Sequence, residues 1–155
     1  MKITSMFFGR LVGSVFFIFL PYFFIQLNGY FLLPVYSHYL FKVLGMFFLF
    51  IGASLFLYCS RLFLIFGRGT PAPIEPPKRL IVSGLYKYTR NPIYIGYFMI
   101  FLGEFFFFGQ FLLLIYFFLA IVKINLYVIY YEEPILKKRF GKSYEEYLKK
   151  IPRWI

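Results

Sequence analysis

The chain has 155 residues, of which 61% are hydrophobic and 15% charged, with 25 Phe, 15 Tyr and a formal charge of +11. A water-soluble domain of this size has no interior large enough for that much apolar surface, so the composition excludes a soluble globule and points to an all-α integral membrane protein. The cations flank apolar runs, which is the pattern of membrane topology and not of nucleic-acid binding, and the lone Cys59 offers neither an intrachain disulfide nor metal-ligand spacing.

A single membrane domain, 1–155, is expected, with about four transmembrane helices. Its N-terminal part, 1–66, holds the first two. Met1-Lys2 and Arg10 lead into an apolar run, as in a signal peptide, but the run outlasts such a core and no small-residue cleavage site follows. The expectation is a first membrane helix over about Leu11 to Leu33, kinked at Pro21 and polar at its far end through Gln26, Asn28 and Gly29. His38 falls in the next loop, where solvation is expected. The second span runs from about Leu40 to Phe66 and ends at Gly67-Arg68-Gly69, whose default meaning is helix termination.

The second part, 67–155, begins with a stretch, Thr70 to Pro77, too proline-rich for a helix and expected to lie extended on the membrane surface. The third span is Pro92 to Phe108 and the fourth Phe111 to Tyr131. The short Gly109-Gln110 turn makes them antiparallel neighbours. The tail from Pro134 to Lys150 places Ile135, Leu136, Phe140, Tyr144, Tyr147 and Leu148 near one helical stripe, with Gly141 as a weak point. It reads as a basic amphipathic helix on the inner membrane face. Arg68, Lys78, Arg79, Lys87 and Arg90 crowd the middle loop, seven more cations follow the last span, and the Gly109 turn has none. That bias puts both termini and the middle loop in the cytosol.

Two segments carry candidate chemistry. Glu132-Glu133 ends the last span, next to hydrocarbon, where carboxylates are costly and tend to mark function. The plain reading is a helix-end pair neutralised by Lys137 or Arg139. The functional one is a set of acceptors for the hydroxyls or ammonium of a ligand. Upstream, Arg90-Asn91-Pro92 suits a helix start, with Pro92 in the first turn and Asn91 at the N-cap, and a helix N-terminus also offers free N–H groups to an anion. Tyr86, Tyr88, Tyr94 and Tyr97 suit the interface belt, and a tyrosine face also holds a flat adenine or a sulfonium. Glu104 and Lys123, inside the last two spans, are candidates for an ion pair or for a substrate channel.

The order and spacing Gly84-x-Tyr86-x-x-x-Arg90-Asn91-Pro92-x-Tyr94-x-Gly96, then Glu132-Glu133-x-x-Leu136-x-x-x-Phe140-Gly141-x-x-Tyr144-x-x-Tyr147, then Pro152-Arg153, resembles the isoprenylcysteine carboxyl methyltransferase family and the related membrane phospholipid N-methyltransferases. The likeness covers roughly Gly67 to Arg153. It implies an S-adenosyl-L-methionine-dependent methyltransferase, with the cofactor in a cytosol-facing pocket and a lipophilic acceptor drawn from the bilayer. By position, the resemblance assigns cofactor contacts to Lys78, Arg79, Leu80, Ile81, Tyr86, Asn91, Pro92, Ile93, Tyr94 and Glu132. The glycine pair used by the phospholipid enzymes adds Gly67 and Gly69. Arg90, Asn91 and Glu133 form the expected catalytic set, without a metal. Asn91 stands where the carboxyl methyltransferases usually have His, and Val128 where they have a substrate-engaging arginine; the nearest cation on that span is Lys123. A prenylcysteine-like carboxylate, a lipid amine and a thiol all stay open as acceptors, and oligomeric state is not legible. The competing class is a non-enzymatic membrane protein, a transporter subunit or assembly factor.

Overall fold

The computed structural model describes residues 11–67 and 77–154. Gly69, Lys2, Arg10 and most of the proline-rich stretch lie outside them. Five helices follow one another: α1 (Leu11–Tyr30), α2 (Tyr39–Gly67), α3 (Pro92–Phe108), α4 (Phe111–Phe140) and α5 (Lys142–Lys150), with a short 3₁₀ turn at Gly84–Lys87 before α3. By length and composition α1, α2 and α4 are able to cross a membrane, while α3 is apolar but has 17 residues. At about 1.5 Å per residue α3 is about 25 Å long, short of the roughly 30 Å hydrocarbon core. The large apolar side chains face outward, as a lipid solvent requires: Phe50 is 75% exposed and Ile18 61%. This is an integral membrane protein.

α3 is the axis of the bundle, packed against α2 on one side and α4 on the other, with α1 on α4. Small residues make the α2–α3 contact close. Gly45, Gly52 and Cys59 recur two turns apart on α2, as Gly96 and Gly103 do on α3, and all five are buried. A Cβ on Gly52 would sit 2.7 Å from the Gly96 carbonyl oxygen, and one on Gly103 would sit 2.8 Å from the Leu49 nitrogen. Lipid gives helices no hydrophobic reason to associate, so backbone approach of this kind supplies the packing energy. Beyond it, Phe17 and Phe24 of α1 stack on Phe101 and Tyr116, and the Tyr116 hydroxyl donates to the Phe16 carbonyl at 2.9 Å.

The far end is closed by Asn28, which is fully buried. Its amide donates to the Leu33 carbonyl (3.1 Å) while its oxygen accepts from the Leu112 nitrogen (3.0 Å). α1 therefore stops at Tyr30, short of the expected Leu33, because the chain turns back over the Gly109-Gln110 turn, where Tyr36 N donates to Gly109 O at 2.8 Å. His38 has a definite role there: its Nδ1 accepts from Leu40 N and caps α2.

Prolines set two further irregularities. Wide π turns span Val15–Phe19 and Val128–Glu132, each ending two residues before a proline, Pro21 and Pro134. A proline lacks the N–H and crowds the carbonyl four residues earlier, and opening that turn relieves the clash. α4 thus passes through Pro134 to Phe140 instead of ending at Tyr131, and Glu132-Glu133 stands within a continuous helix. The tail breaks at Gly141, whose φ of +53° and ψ of −130° suit glycine alone. Beyond it Tyr144 and Tyr147 of α5 are buried, and Lys137 meets Glu145 (3.1 Å) across the break.

Glu104 and Lys123 do not pair. About the 109–110 turn, Glu104 lies level with α4 residues near 115, some eight residues or about 12 Å from Lys123. Lys123 instead sits 5.5 Å above the Phe16 ring, and Glu104, 5% exposed, keeps Oε2 without a hydrogen-bond partner among the described residues.

Replacing Gly52 with Leu overpacks the α2–α3 contact by side-chain atoms that have no room, and should cost at least about 1–3 kcal/mol. Thermal unfolding in detergent checks this against Gly13→Leu, at a position where a Cβ meets nothing within 4 Å. Equal losses for the two variants would rule out the close approach as the cause.

Candidate active site

The site stands at the end of the bundle opposite Asn28, where α2 ends, α3 begins and α4 emerges. The chain after α2 folds back on it: Lys78 N donates to Gly67 O at 2.8 Å, and Arg139 Nη1 reaches Pro77 O at 3.3 Å. Ile81 then drops into a buried cluster with Cys59, Leu62, Tyr86 and Ile93, flanked by Tyr94 and Tyr97. The 3₁₀ turn places Tyr86 edge-on to Phe63, their centroids 5.9 Å apart. Tyr147 of α5 locks that turn by donating to the Tyr86 carbonyl at 2.7 Å. The Tyr86 hydroxyl is buried without a hydrogen-bond partner among the described residues. Burial first, then the nearby Cys59 and Glu132, pushes this phenol up, so it remains a neutral donor.

α3 starts as expected at Pro92, but the Asn91 side chain does not cap it. Its Nδ2 donates to the Arg153 carbonyl at 3.1 Å, a carbonyl that also accepts from Thr89 Oγ1 at 3.2 Å. Arg90 N donates to the neighbouring Pro152 carbonyl at 3.0 Å. The segment after α5 is thereby laid along Thr89–Asn91. Trp154 continues it, its Nε1 donating to Asn125 Oδ1 of α4 at 3.0 Å and its ring resting on Phe98 of α3.

The twin acids divide between two sets of partners. Glu132 Oε2 accepts from the Tyr94 hydroxyl at 2.7 Å. Glu133 takes a two-pronged contact from Arg153, Nε to Oε1 at 2.8 Å and Nη2 to Oε2 at 3.0 Å. Arg90 Nη1 lies 3.0 Å from the same Oε1, off the N–H axis, so that contact is ionic and no hydrogen bond forms. Lys137 and Arg139, one turn on, do not neutralise either acid: Lys137 pairs with Glu145 and Arg139 binds Pro77 O. Tyr144 faces this group, its phenol pushed up to about 12 chiefly by burial and then by Glu133.

Of the residues singled out in the sequence, Gly67, Ile81, Tyr86, Ile93, Tyr94 and Glu132 converge on one cluster, with Pro92 buried at its edge. Arg90, Asn91 and Glu133 form an adjoining polar corner. Lys78 and Arg79 are exposed and Leu80 is half-buried. Val128 is 1% exposed at the start of the wide turn, and Lys123 is too far along α4 to stand in for the missing arginine. Sequence reasoning missed Arg153, Thr89 and Trp154 as parts of the site, although Pro152-Arg153 closes the quoted motif. Twin acids and asparagine–proline turn meet by direct contact and not across an open hollow. Two open grooves lie elsewhere: one of about 550 Å³ beside Ser54, Tyr58, Leu85 and Lys87, the other of about 540 Å³ along Phe23–Tyr30. Among the described residues, no group of three His, Cys, Asp or Glu is placed to hold a metal ion.

Four buried donor atoms near the corner lack hydrogen-bond partners among the described residues: Ser83 Oγ, Tyr86 Oη, Arg90 Nε and Arg90 Nη1. Buried donors are rarely left so.

The phospholipid methyltransferase family model matches residues 35–143, more than half of the chain. A protein-S-isoprenylcysteine O-methyltransferase of Schizosaccharomyces pombe is 40% identical over 76 residues, 49% of this chain and 32% of that protein. The match thus spans about a third of the length of that relative. No solved structure matches the chain. The paired acids, the arginine–asparagine–proline turn and the matched stretch that holds them place this chain in the phospholipid methyltransferase family.

Proposed function

We propose that the protein is an S-adenosyl-L-methionine-dependent membrane methyltransferase acting on a lipophilic acceptor: a prenylcysteine-like carboxylate, a lipid amine or a thiol. The observation that carries this reading is the meeting of Glu132 with Tyr94, 38 residues away, beside buried donors without hydrogen-bond partners among the described residues. A non-enzymatic membrane protein has no need of such a corner.

Gly67, Ile81, Tyr86, Ile93, Tyr94 and Glu132 would hold the cofactor, which supplies an electrophilic methyl group on a positively charged sulfur. Glu132, with its partner Tyr94, offers an acceptor to the ribose hydroxyls or the ammonium, and tyrosine faces stabilise the cation. The close packing around Tyr86 and Tyr94 excludes water from the transfer. Methyl transfer asks the protein mainly for alignment, so holding both reactants is most of its work. A carboxylate or thiolate acceptor needs no base at neutral pH, whereas an amine must first lose a proton.

We read four crossings. α3 spans through local thinning and its buried place between α2 and α4. Both chain ends, α5 and the site then face the cytosol, with the Gly109 turn outside, as the loop charges favour. The exposed basic face of α5 rests at the interface while its tyrosines pack inward.

Calorimetry in detergent should show Glu132→Ala weakening S-adenosylhomocysteine binding by about 100-fold or more, as expected for loss of charged acceptors in a desolvated site. Affinity equal to that of the unaltered protein defeats the assignment. For topology, single cysteines at Gln110 and Lys142, in a Cys59→Ala background, should react with an impermeant thiol reagent from opposite sides of sealed vesicles. Reaction of both from one side removes the four-crossing arrangement.

A further inference from the structure

We propose that Arg90 is an oxyanion-binding residue and that Arg153 is the positioning residue that makes it one. The inference rests on the function proposed above and deepens it by assigning the site's anion seat. Arg153 occupies both oxygens of Glu133 in fork geometry, the strongest arrangement a guanidinium and a carboxylate adopt. Arg90 is left with an ionic contact to Glu133 at 3.0 Å, made off its N–H axis, and with the Tyr144 phenol beside it. Its side chain is only 10% exposed, yet Nε and Nη1 have no hydrogen-bond partner among the described residues. Two guanidiniums thus share one carboxylate, and Arg153 takes both of its oxygens, so Arg90 keeps donor capacity that Glu133 does not use. Buried donors left without partners are costly, and a ligand oxyanion would satisfy them.

The oxyanion is a carboxylate or a phosphate, and two sources supply one: the amino-acid carboxylate of the methyl donor, or the headgroup of the acceptor. The first would make the corner a seat for a zwitterion, with the ammonium toward Glu132. The second would give this chain, which has Val128 where relatives in the carboxyl branch carry arginine, another cation for the acceptor. In both cases the role of Arg153 is the same. Its carbonyl also fastens Asn91 and Thr89, so it fixes the backbone and the charge balance of Arg90 together.

The test compares S-adenosylhomocysteine with 5′-methylthioadenosine, which lacks the amino-acid end, by calorimetry on the full chain in nanodiscs, alongside acceptor KM in a labelled-methyl assay with membrane lipid extract. If the donor carboxylate is held, Arg90→Gln weakens S-adenosylhomocysteine by about 10- to 100-fold and leaves methylthioadenosine unchanged. If the acceptor oxyanion is held, both affinities stay and acceptor KM rises by a similar factor. Arg153→Gln should reproduce the same selective loss, and Arg153→Lys should recover part of it. Arg90→Lys, which keeps the charge and loses the fork, serves if the glutamine variant does not fold. Equal effects on both nucleosides, or unchanged nucleoside affinities together with an unchanged acceptor KM, overturn the proposal, as does an Arg153→Gln variant altered only in thermal stability. Unaltered protein that binds no S-adenosylhomocysteine overturns instead the function on which it rests.

Discussion

A single carboxylate, Glu133, ties together three stretches of chain that are far apart in sequence. It meets Arg90 at the start of α3, stands on α4, and is gripped by Arg153 beyond α5. In water such a cluster would contribute little. Here Glu133 and Arg90 are largely buried, with Tyr144 beside them, and removing Glu133 would leave Arg90 charged and poorly solvated. The backbone hydrogen bonds from Thr89–Asn91 to Pro152 and Arg153 then hold the geometry in place. The neighbouring side of the site, with Tyr86, Tyr94 and Glu132, which we propose holds the cofactor, takes its position from that frame.

The helices reach this end of the bundle through two departures from ideal geometry. Close backbone approach between α2 and α3 is possible because glycines occupy both contact lines. It draws the end of α2 against the start of α3 and brings Cys59, Leu62 and Gly67 next to Ile93 and Tyr86. The wide turn before Pro134 inserts an extra residue into α4 just where the acids stand. Changing the rotation there decides which neighbour each acid meets: Glu132 turns to Tyr94, Glu133 to the arginines. Stability and site geometry thus share the same residues, as is common where a π turn marks a functional segment.

Both acids have protein partners: Glu132 has Tyr94 and Glu133 has the arginines. A ligand that enters must replace the Tyr94 contact of Glu132 with one at least as good, which favours groups bearing hydroxyl or ammonium donors. Arg90 asks the opposite, an acceptor with negative charge. These two demands select for a molecule with both kinds of group close together, or for two molecules side by side.

Much of this was written in the sequence. Apolar composition and span lengths determined a helical membrane protein, because hydrocarbon accepts little else. The start of α3 at Pro92, the turn at Gly109 and the break at Gly141 follow from local backbone chemistry, and the motif spacing determined which residues to watch. Tertiary structure alone decided the rest. Asn91 forsook its cap for the Arg153 carbonyl, Lys123 turned to Phe16 while Glu104 was buried elsewhere, and α4 ran on through Pro134. Each of these depends on which distant group offers the better partner once water is excluded, and pairings 62 residues apart, such as Asn91 with Arg153, have no local signal.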